Sequence, residues 1–423
     1  MRTLFQGIKV IDPNSPFHNQ TTNLVLDNGK IDYVGVERPV TDEVIDVPGL
    51  MLSPGWVDLR CWIGDPGLEH KEDLSSGAAA AAKGGFTQVL VMPDVQPVSQ
   101  TKHAVAYLQN RSQSLPVTLL PAGAISMEAH GEDLTEMIDL HQAGALAFTD
   151  GDAGVQLGDL LIKALQYVQF FNGLIMQRSQ DDRLSQHGLM HEGLVSVQLG
   201  LKGIPALAEE VMVARDLQLL AYAGGRLHFS LVSTAGAVEQ IRQAKVRGLQ
   251  VTCDMASYQI AFTDEEIEPF DTNYKVNPPF RSEQDRQALI QGLADGTIDA
   301  LVSGHKPQDS ECKTLEFDLA DFGITNLETA FAVANTYLAN NLSPEQLVEK
   351  LALAPRRILG LPVPALRTGE VAEFTLFHLD QQWIPQQESR ASKSANSPFF
   401  GRTLTGKVFG IVHKNQLVRN PEY

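Results

Sequence analysis

The chain has 423 residues, with 51 acidic against 33 basic side chains and a formal charge of −18. That balance excludes a nucleic-acid binder, which needs a surplus of Lys and Arg along some stretch of the chain, and no stretch supplies one. Hydrophobic residues at 43% and charged residues at 20% exclude a disordered chain.

No apolar run reaches the roughly 20 residues of a membrane-crossing helix. The start MRTLFQGIKV lacks the apolar segment of a signal peptide, so a cytoplasmic protein is expected. Cys61, Cys253 and Cys312 are scattered and are read as small buried hydrophobes, not as disulfide partners or a thiolate metal motif. The length allows two or three ordinary domains, or one large barrel with a smaller appendage. The negative surplus is expected on a surface open to partners.

In chain order, the first fifty residues read as short strands: LFQGIKVID, then NLVLDNGKIDYVG with Asn28-Gly29 at a hairpin turn, then EVIDVPGLMLSPG. From about Ser53 the texture changes to apolar strand-like runs, each followed by a helix or long loop. These are GWVDL, TQVLVMP, VTLLPAG, GALAFTD, GLIMQ, LHFSLVST, LQVTCD and IDALVSG, with an Ala-rich helix expected over Leu74 to Lys83. Eight such units predict an α/β fold, a (β/α)₈ TIM barrel with right-handed crossovers over residues 53–365. A helix capped by Ser343, with Pro344 first inside it, precedes the return of strand patterns at AEFTLFHLD. The polar segment from Gln381 to Pro398 reads as a loop or flexible crossing. Residues 1–52 and 366–423 are expected to pair as a small β-sandwich beside the barrel.

In such a barrel the site lies just after the strands. Those positions hold Asp58 to Gly67, Met92 to Asp94, Thr149 to Asp152, Gln177 to Asp181, Leu231 to Thr234, Asp254-Met255 and Ser303 to Pro307. A hydrolytic metal centre needs several neutral His and ionised carboxylates converging on the ion. This inventory offers one His, a few Asp and two Arg, and Arg repels a divalent cation. Spacing alone therefore predicts no metal and no other cofactor.

The motifs SPGWVDL, DPGLEHKEDLSSGAAAAAKGGFTQVLVMPD, MHEG, YKVNPPFRSEQDRQALIQGLADGTIDALVSGH and SKSANSPFFG with LTGKV carry a further reading. From about Leu24 to Val418 the chain resembles the dihydroorotases of the cyclic-amidohydrolase superfamily. The resemblance implies a metal-bearing barrel that interconverts dihydroorotate and carbamoyl aspartate, often assembled with aspartate carbamoyltransferase. It also implies ligand positions that this chain fills otherwise. The family's His-x-His falls on Arg60 and Trp62, its fifth-strand His on Arg178, its sixth-strand His on Leu231, and its eighth-strand Asp, the general base, on Gly304. Its carboxylate-holding Arg falls on Gly64 and its substrate-contacting Asn on Asp94. Asp150, Asn277 and His305 match as a vestigial site, and His228 is kept.

Each of these residues also has a plain structural reading. Asp150 suits a cap or turn, and Trp62 suits space filling. Arg60 and Arg178 either form an anion pocket or pair with Asp58, Asp94, Asp150 or Asp181.

Losing five ligands, the base among them, leaves no activated water, so the sequence favours a catalytically inactive homologue and not an enzyme. It would be a structural subunit for the aspartate carbamoyltransferase catalytic chain, in a six-plus-six assembly. The alternatives are an amidohydrolase with a rearranged or metal-free site acting on another cyclic amide, and a small-molecule sensor. Residues 256–281 and 306–322, which would cover a working mouth, are expected to be disordered or reused as contact surfaces.

Overall fold

The computed structural model describes residues 2–267 and 269–423. Among these, the strands in chain order are β1 (Arg2–Val10), β2 (Thr21–Asp27), β3 (Lys30–Gly35), β4 (Glu43–Ile45), β5 (Met51–Pro54) and β6 (Trp56–Cys61). They continue as β7 (Phe86–Val91), β8 (Thr118–Gly123), β9 (Ala147–Phe148), β10 (Ile175–Gln177), β11 (Met190–His191) and β12 (Gly203–Ile204). The last are β13 (Leu227–Phe229), β14 (Val251–Ala256), β15 (Ala300–Val302), β16 (Phe374–Trp383), β17 (Leu404–His413) and β18 (Gln416–Arg419).

Eight of these form a parallel sheet in the order β6, β7, β8, β9, β10, β13, β14, β15. Every residue of β6 and β7 is buried, which is why both read as continuous apolar runs and not as alternating patterns. The sheet closes into a barrel where the first strand meets the last. The Trp62 amide donates to the His305 carbonyl at 2.9 Å, and Cys61 bridges His305 in parallel register. Beneath that seam the Asp58 carboxylate accepts from the Ser303 amide at 2.9 Å and from its hydroxyl. Burial pushes the Asp58 carboxyl up to about 7.

The helix over Leu74–Lys83 starts where Asp73 accepts from the Ser75 and Ser76 amides, both at 2.8 Å. Its small Ala78, Ala80 and Ala81 lie fully buried against the barrel. Ser343 caps its helix by accepting from the Gln346 amide at 3.3 Å while Gln346 Oε1 accepts from the Ser343 amide at 2.9 Å.

The strands of the two chain ends pair into one sheet in the order β18, β17, β16, β5, β1, β2, β3, with β4 on β1. The β2–β3 hairpin turns at Asn28 and Gly29, both with positive φ (47° and 77°), the geometry that suits an Asn-Gly pair. Arg356, fully buried, ties this sheet to the barrel. It donates to the Gly55 carbonyl at 2.9 Å, to the Pro362 carbonyl at 2.9 Å and to Glu373, whose Oε1 also accepts from Thr87 and Gln88 at 2.9 Å.

Three sequence expectations change here. The polar 381–398 segment, read as a loop or flexible crossing, is strand to Trp383 and a loop beyond it, and that loop is tied down: the fully buried Glu72 accepts from the Ser392 hydroxyl and the Lys393 amide. The described residues of the 256–281 segment, and the 306–322 segment, are ordered over the mouth. Lys275 Nζ donates to the Phe317 and Asp318 carbonyls at 2.7 and 3.0 Å, and Lys313 Nζ to the Asp321 carbonyl at 2.9 Å. Cys61 and Cys253 are buried but Cys312 is only half-buried. No helix among the described residues is long and apolar enough to cross a membrane.

Two outcomes follow from these contacts. Arg356→Met leaves Glu373 without its cation and lowers unfolding stability by about 3–5 kcal/mol, read from the denaturant midpoint. Asp58 is raised in the folded state above its ordinary 3.8, so its contribution is full below that value and fades as pH rises toward about 7. Melting temperatures from pH 4 to 7 are therefore expected to fall more in the wild type than in Asp58→Asn.

Candidate functional site

The carboxyl ends of the barrel strands open on a cavity of about 290 Å³. Its centre is Asp152, from the segment after β9. The Asp152 carboxylate accepts from Arg60 of β6 on one oxygen and from Lys306, just past β15, on the other. Burial alone would raise the Asp152 carboxyl. Lys306, Arg60 and Arg178 outweigh it and hold the group well below the usual carboxylate range. Burial likewise lowers the Arg60 guanidinium, but Asp152, Asp94 and Asp254 more than reverse that.

Asp94 follows β7. Its Oδ2 accepts from the Asp152 amide at 3.2 Å, and its Oδ1 is buried without a partner. Burial, then the Asp152 charge, pushes the Asp94 carboxyl upward. Its approach depends on Gly151 (φ 65°), where a Cβ would stand 2.2 Å from Asp94 Cγ.

Arg178, after β10, is 4% exposed. Its guanidinium donates to the Asp152 carbonyl at 2.9 Å and to Gln180 Oε1 at 3.0 Å, and its Nε has no partner. Trp62 fills one wall and donates from Nε1 to the Asp94 carbonyl at 3.0 Å. Leu231 and Gly304 also line the cavity, and both have left-handed backbones (φ 58° and 59°). Asn277 lines it from the covering loop, with Oδ1 buried and unpartnered.

The structure redistributes the residues singled out from sequence. Arg60, Trp62, Arg178, Leu231, Gly304, Asn277 and His305 share the one cavity, whereas Asp150 is spent elsewhere. Its two oxygens accept from the Ile125 amide (2.8 Å), the Ser126 amide (2.9 Å) and the Ser126 hydroxyl (2.6 Å), fixing the turn after β8. His305 accepts at Nδ1 from the Asn326 amide at 3.2 Å and sets Nε2 3.4 Å from Glu72, which anchors the C-terminal segment. The retained His228 pairs with Asp254 at 2.8 Å, both fully buried.

The expected carboxylate partners of the arginines are also corrected. Asp58 belongs to Ser303, Asp150 to the 125–126 turn, and Asp181 caps the short helix Asp182–Ser185. The carboxylate that Arg60 bonds is Asp152. Lys306, Asp152 and Tyr258 went unweighted in the sequence. A signal for two of them existed, since Asp152 and Lys306 stand in strand-end segments already assigned to the mouth and carry opposite charge.

A divalent ion of the kind implied by the family resemblance does not fit these residues. Among the described residues no group of three or more His, Cys, Asp or Glu stands where it could hold one. The carboxylate at the centre of the mouth is already clamped between two cations. Any side chain at 304 would begin 2.9 Å from Tyr258 Cε1 and 3.0 Å from Ala256 Cβ.

Comparison with known proteins settles the family. The family profile described as Dihydro-orotase-like matches residues 49–237. A protein of Syntrophus aciditrophicus named dihydroorotase is 40% identical over 424 residues, covering 99% of each chain. One of Pelotomaculum thermopropionicum, also named dihydroorotase, is 41% identical over 421 residues, covering 99% of this chain and 98% of its own. The solved L-hydantoinase (dihydropyrimidinase) from Arthrobacter aurescens superposes with a TM-score of 0.84 at 23% identity, over 98% of this chain and 97% of that one, and supports the amidohydrolase-type barrel.

These relatives overturn two sequence expectations, that the chain is no enzyme and that it serves as a non-catalytic subunit. Likeness at this level over the whole length to proteins named dihydroorotase favours an active enzyme. With two fifths of its residues shared along essentially its entire length, the chain belongs to the dihydroorotase family.

Proposed function

We propose that the protein is a dihydroorotase-type enzyme of pyrimidine biosynthesis, working in the cytoplasm on the cyclic amide of dihydroorotate or its ring-opened product, carbamoyl aspartate. The observation that carries this reading is the full-length likeness to proteins named dihydroorotase. The polar cavity at the carboxyl ends of the strands, where barrels of this kind do their chemistry, agrees with it.

Opening a cyclic amide adds water across the C–N bond. The water oxygen bonds to the carbonyl carbon, the ring nitrogen leaves with a proton, and the carbonyl oxygen carries negative charge in between. Arg60 and Lys306 supply fixed positive charge where that oxyanion develops. Asp94 is the proton carrier: its free Oδ1 takes the proton from water and returns it to the leaving nitrogen, and its raised carboxyl suits both roles. Association with the aspartate carbamoyltransferase catalytic chain, six plus six, belongs to the same proposal and rests on the family resemblance alone. Copurification of the two chains checks it.

The deciding measurement is turnover of dihydroorotate and of carbamoyl aspartate by the purified protein. Turnover above the uncatalysed rate is expected, with kcat reduced about 10²- to 10⁴-fold in Asp94→Asn. Rates equal to background in both directions would end the proposal. Because Asp94 must be ionised to accept a proton and burial raises it, kcat/KM is expected to fall as pH drops, with the acid limb above the ordinary 3.8. The limb should vanish in the residual activity of Asp94→Asn.

A further inference from the structure

Three cations line the mouth, yet a single carboxylate bonds to them. Asp152 serves Arg60 and Lys306 with its two oxygens, and neither oxygen goes to Arg178. Arg178 is held only by neutral acceptors, the Asp152 carbonyl and the Gln180 amide, and its Nε is buried without a partner. The other carboxylates on the cavity wall, Asp94 and Asp182, make no bond to it; burial raises both, and at Asp182 the Arg178 charge reverses only part of that rise.

A guanidinium 4% exposed whose own bonds go only to neutral acceptors is costly to the fold, because the charge of Asp152, shared with Arg60 and Lys306, offsets its desolvation only in part. Such a group is tolerated where a bound anion completes it, and the planar guanidinium fork matches a carboxylate in bidentate fashion. The adjoining cavity, about 290 Å³ with Trp62 and Tyr258 as flat walls, has room for a small ring or ureido compound.

We infer that Arg178 is the anchor for the carboxylate of a small organic acid bound in the barrel mouth. The ligand is an amide- or urea-bearing monocarboxylate or dicarboxylate, oriented with its acid group toward the β10 side of the cavity. This deepens the reading of the mouth as the substrate site, and it is measured by binding so that it stands apart from turnover.

Calorimetric titration with orotate, a planar carboxylate that cannot be hydrolysed, and with uracil, the same ring without the acid, supplies the test. Orotate binding by the wild type is expected, with uracil at least about tenfold weaker, and Arg178→Gln is expected to lose at least about tenfold in orotate affinity while uracil affinity is unchanged. Arg178→Lys should retain part of the orotate affinity.

The unliganded Arg178→Met variant should melt at or above the wild-type temperature, since it removes a buried charge that no carboxylate of the described residues bonds. A merely structural arginine would instead lower it. Equal affinity of wild type and Arg178→Gln for orotate, no orotate binding by the wild type, or a clear loss of melting temperature in Arg178→Met would each overturn the assignment. Orotate binding without turnover would leave Arg178 as the anchor and remove only the enzymatic reading.

Discussion

The seam between the first and last barrel strands is the constraint on which the rest of the molecule depends. A parallel sheet of eight strands has two edges unless it closes, and here one carboxylate sits at the closure: Asp58 of β6 takes both the amide and the hydroxyl of Ser303 beyond β15. The contact lies inside the protein, where an unmet carboxylate is expensive, so the register of the two strands has little freedom. That register places Arg60 and Trp62 on one side of the mouth and Gly304, His305 and Lys306 on the other. With the ends so fixed, Lys306 reaches Asp152 from a position 154 residues away.

Around that seam the mouth is organised by charge balance. Asp152 is the hub, holding two cations with two oxygens and kept ionised by them. Asp94 lies beside it as a second carboxyl of opposite disposition, raised by burial and by the hub's own charge. Two carboxyl groups pushed apart by their surroundings are the usual mark of a site that moves protons. Arg178 adds a third cation, to which no carboxylate of the described residues bonds. The covering loops are held by lysines elsewhere, Lys275 and Lys313 donating to backbone carbonyls, so the cations of the mouth are not consumed in keeping it closed.

Much of the frame was readable because its signals are local. The Asn28-Gly29 hairpin, the helix started by Ser343-Pro344 and the apolar runs of the barrel are dictated by backbone preference or by burial on both faces. The site was legible only as a set of strand-end segments. Arg60, Trp62, Arg178, Leu231 and Gly304 do meet in one cavity, and Arg60 does pair with an Asp of the mouth, but the carboxylate it bonds is Asp152 and not one of the four named from sequence. Asp58, Asp150 and Asp181 each had a backbone or hydroxyl donor that satisfied it first: across the seam for Asp58, on the turn after the neighbouring strand β8 for Asp150, and within three residues for Asp181. An Asp after a strand carries no mark of whether it caps a turn or faces the mouth, and Asp150 and Asp152 differ by two residues and by that outcome. The polar 381–398 segment is a loop beyond Trp383, as expected, but its anchoring was hidden for a related reason: its Ser and Lys residues satisfy the buried Glu72, more than three hundred positions away.

By itself, then, the sequence determined the alternation of strands and helices, the family to which its motifs belong, and the ring of residues from which a site is built. It did so because hydrophobic period, turn chemistry and motif spacing act over a few residues at a time. The tertiary structure decided which carboxylate neutralises which cation, which side chains face the cavity and which are spent holding loops. Those outcomes depend on desolvation and on distances between segments far apart in the chain, and neither exists until the barrel has closed.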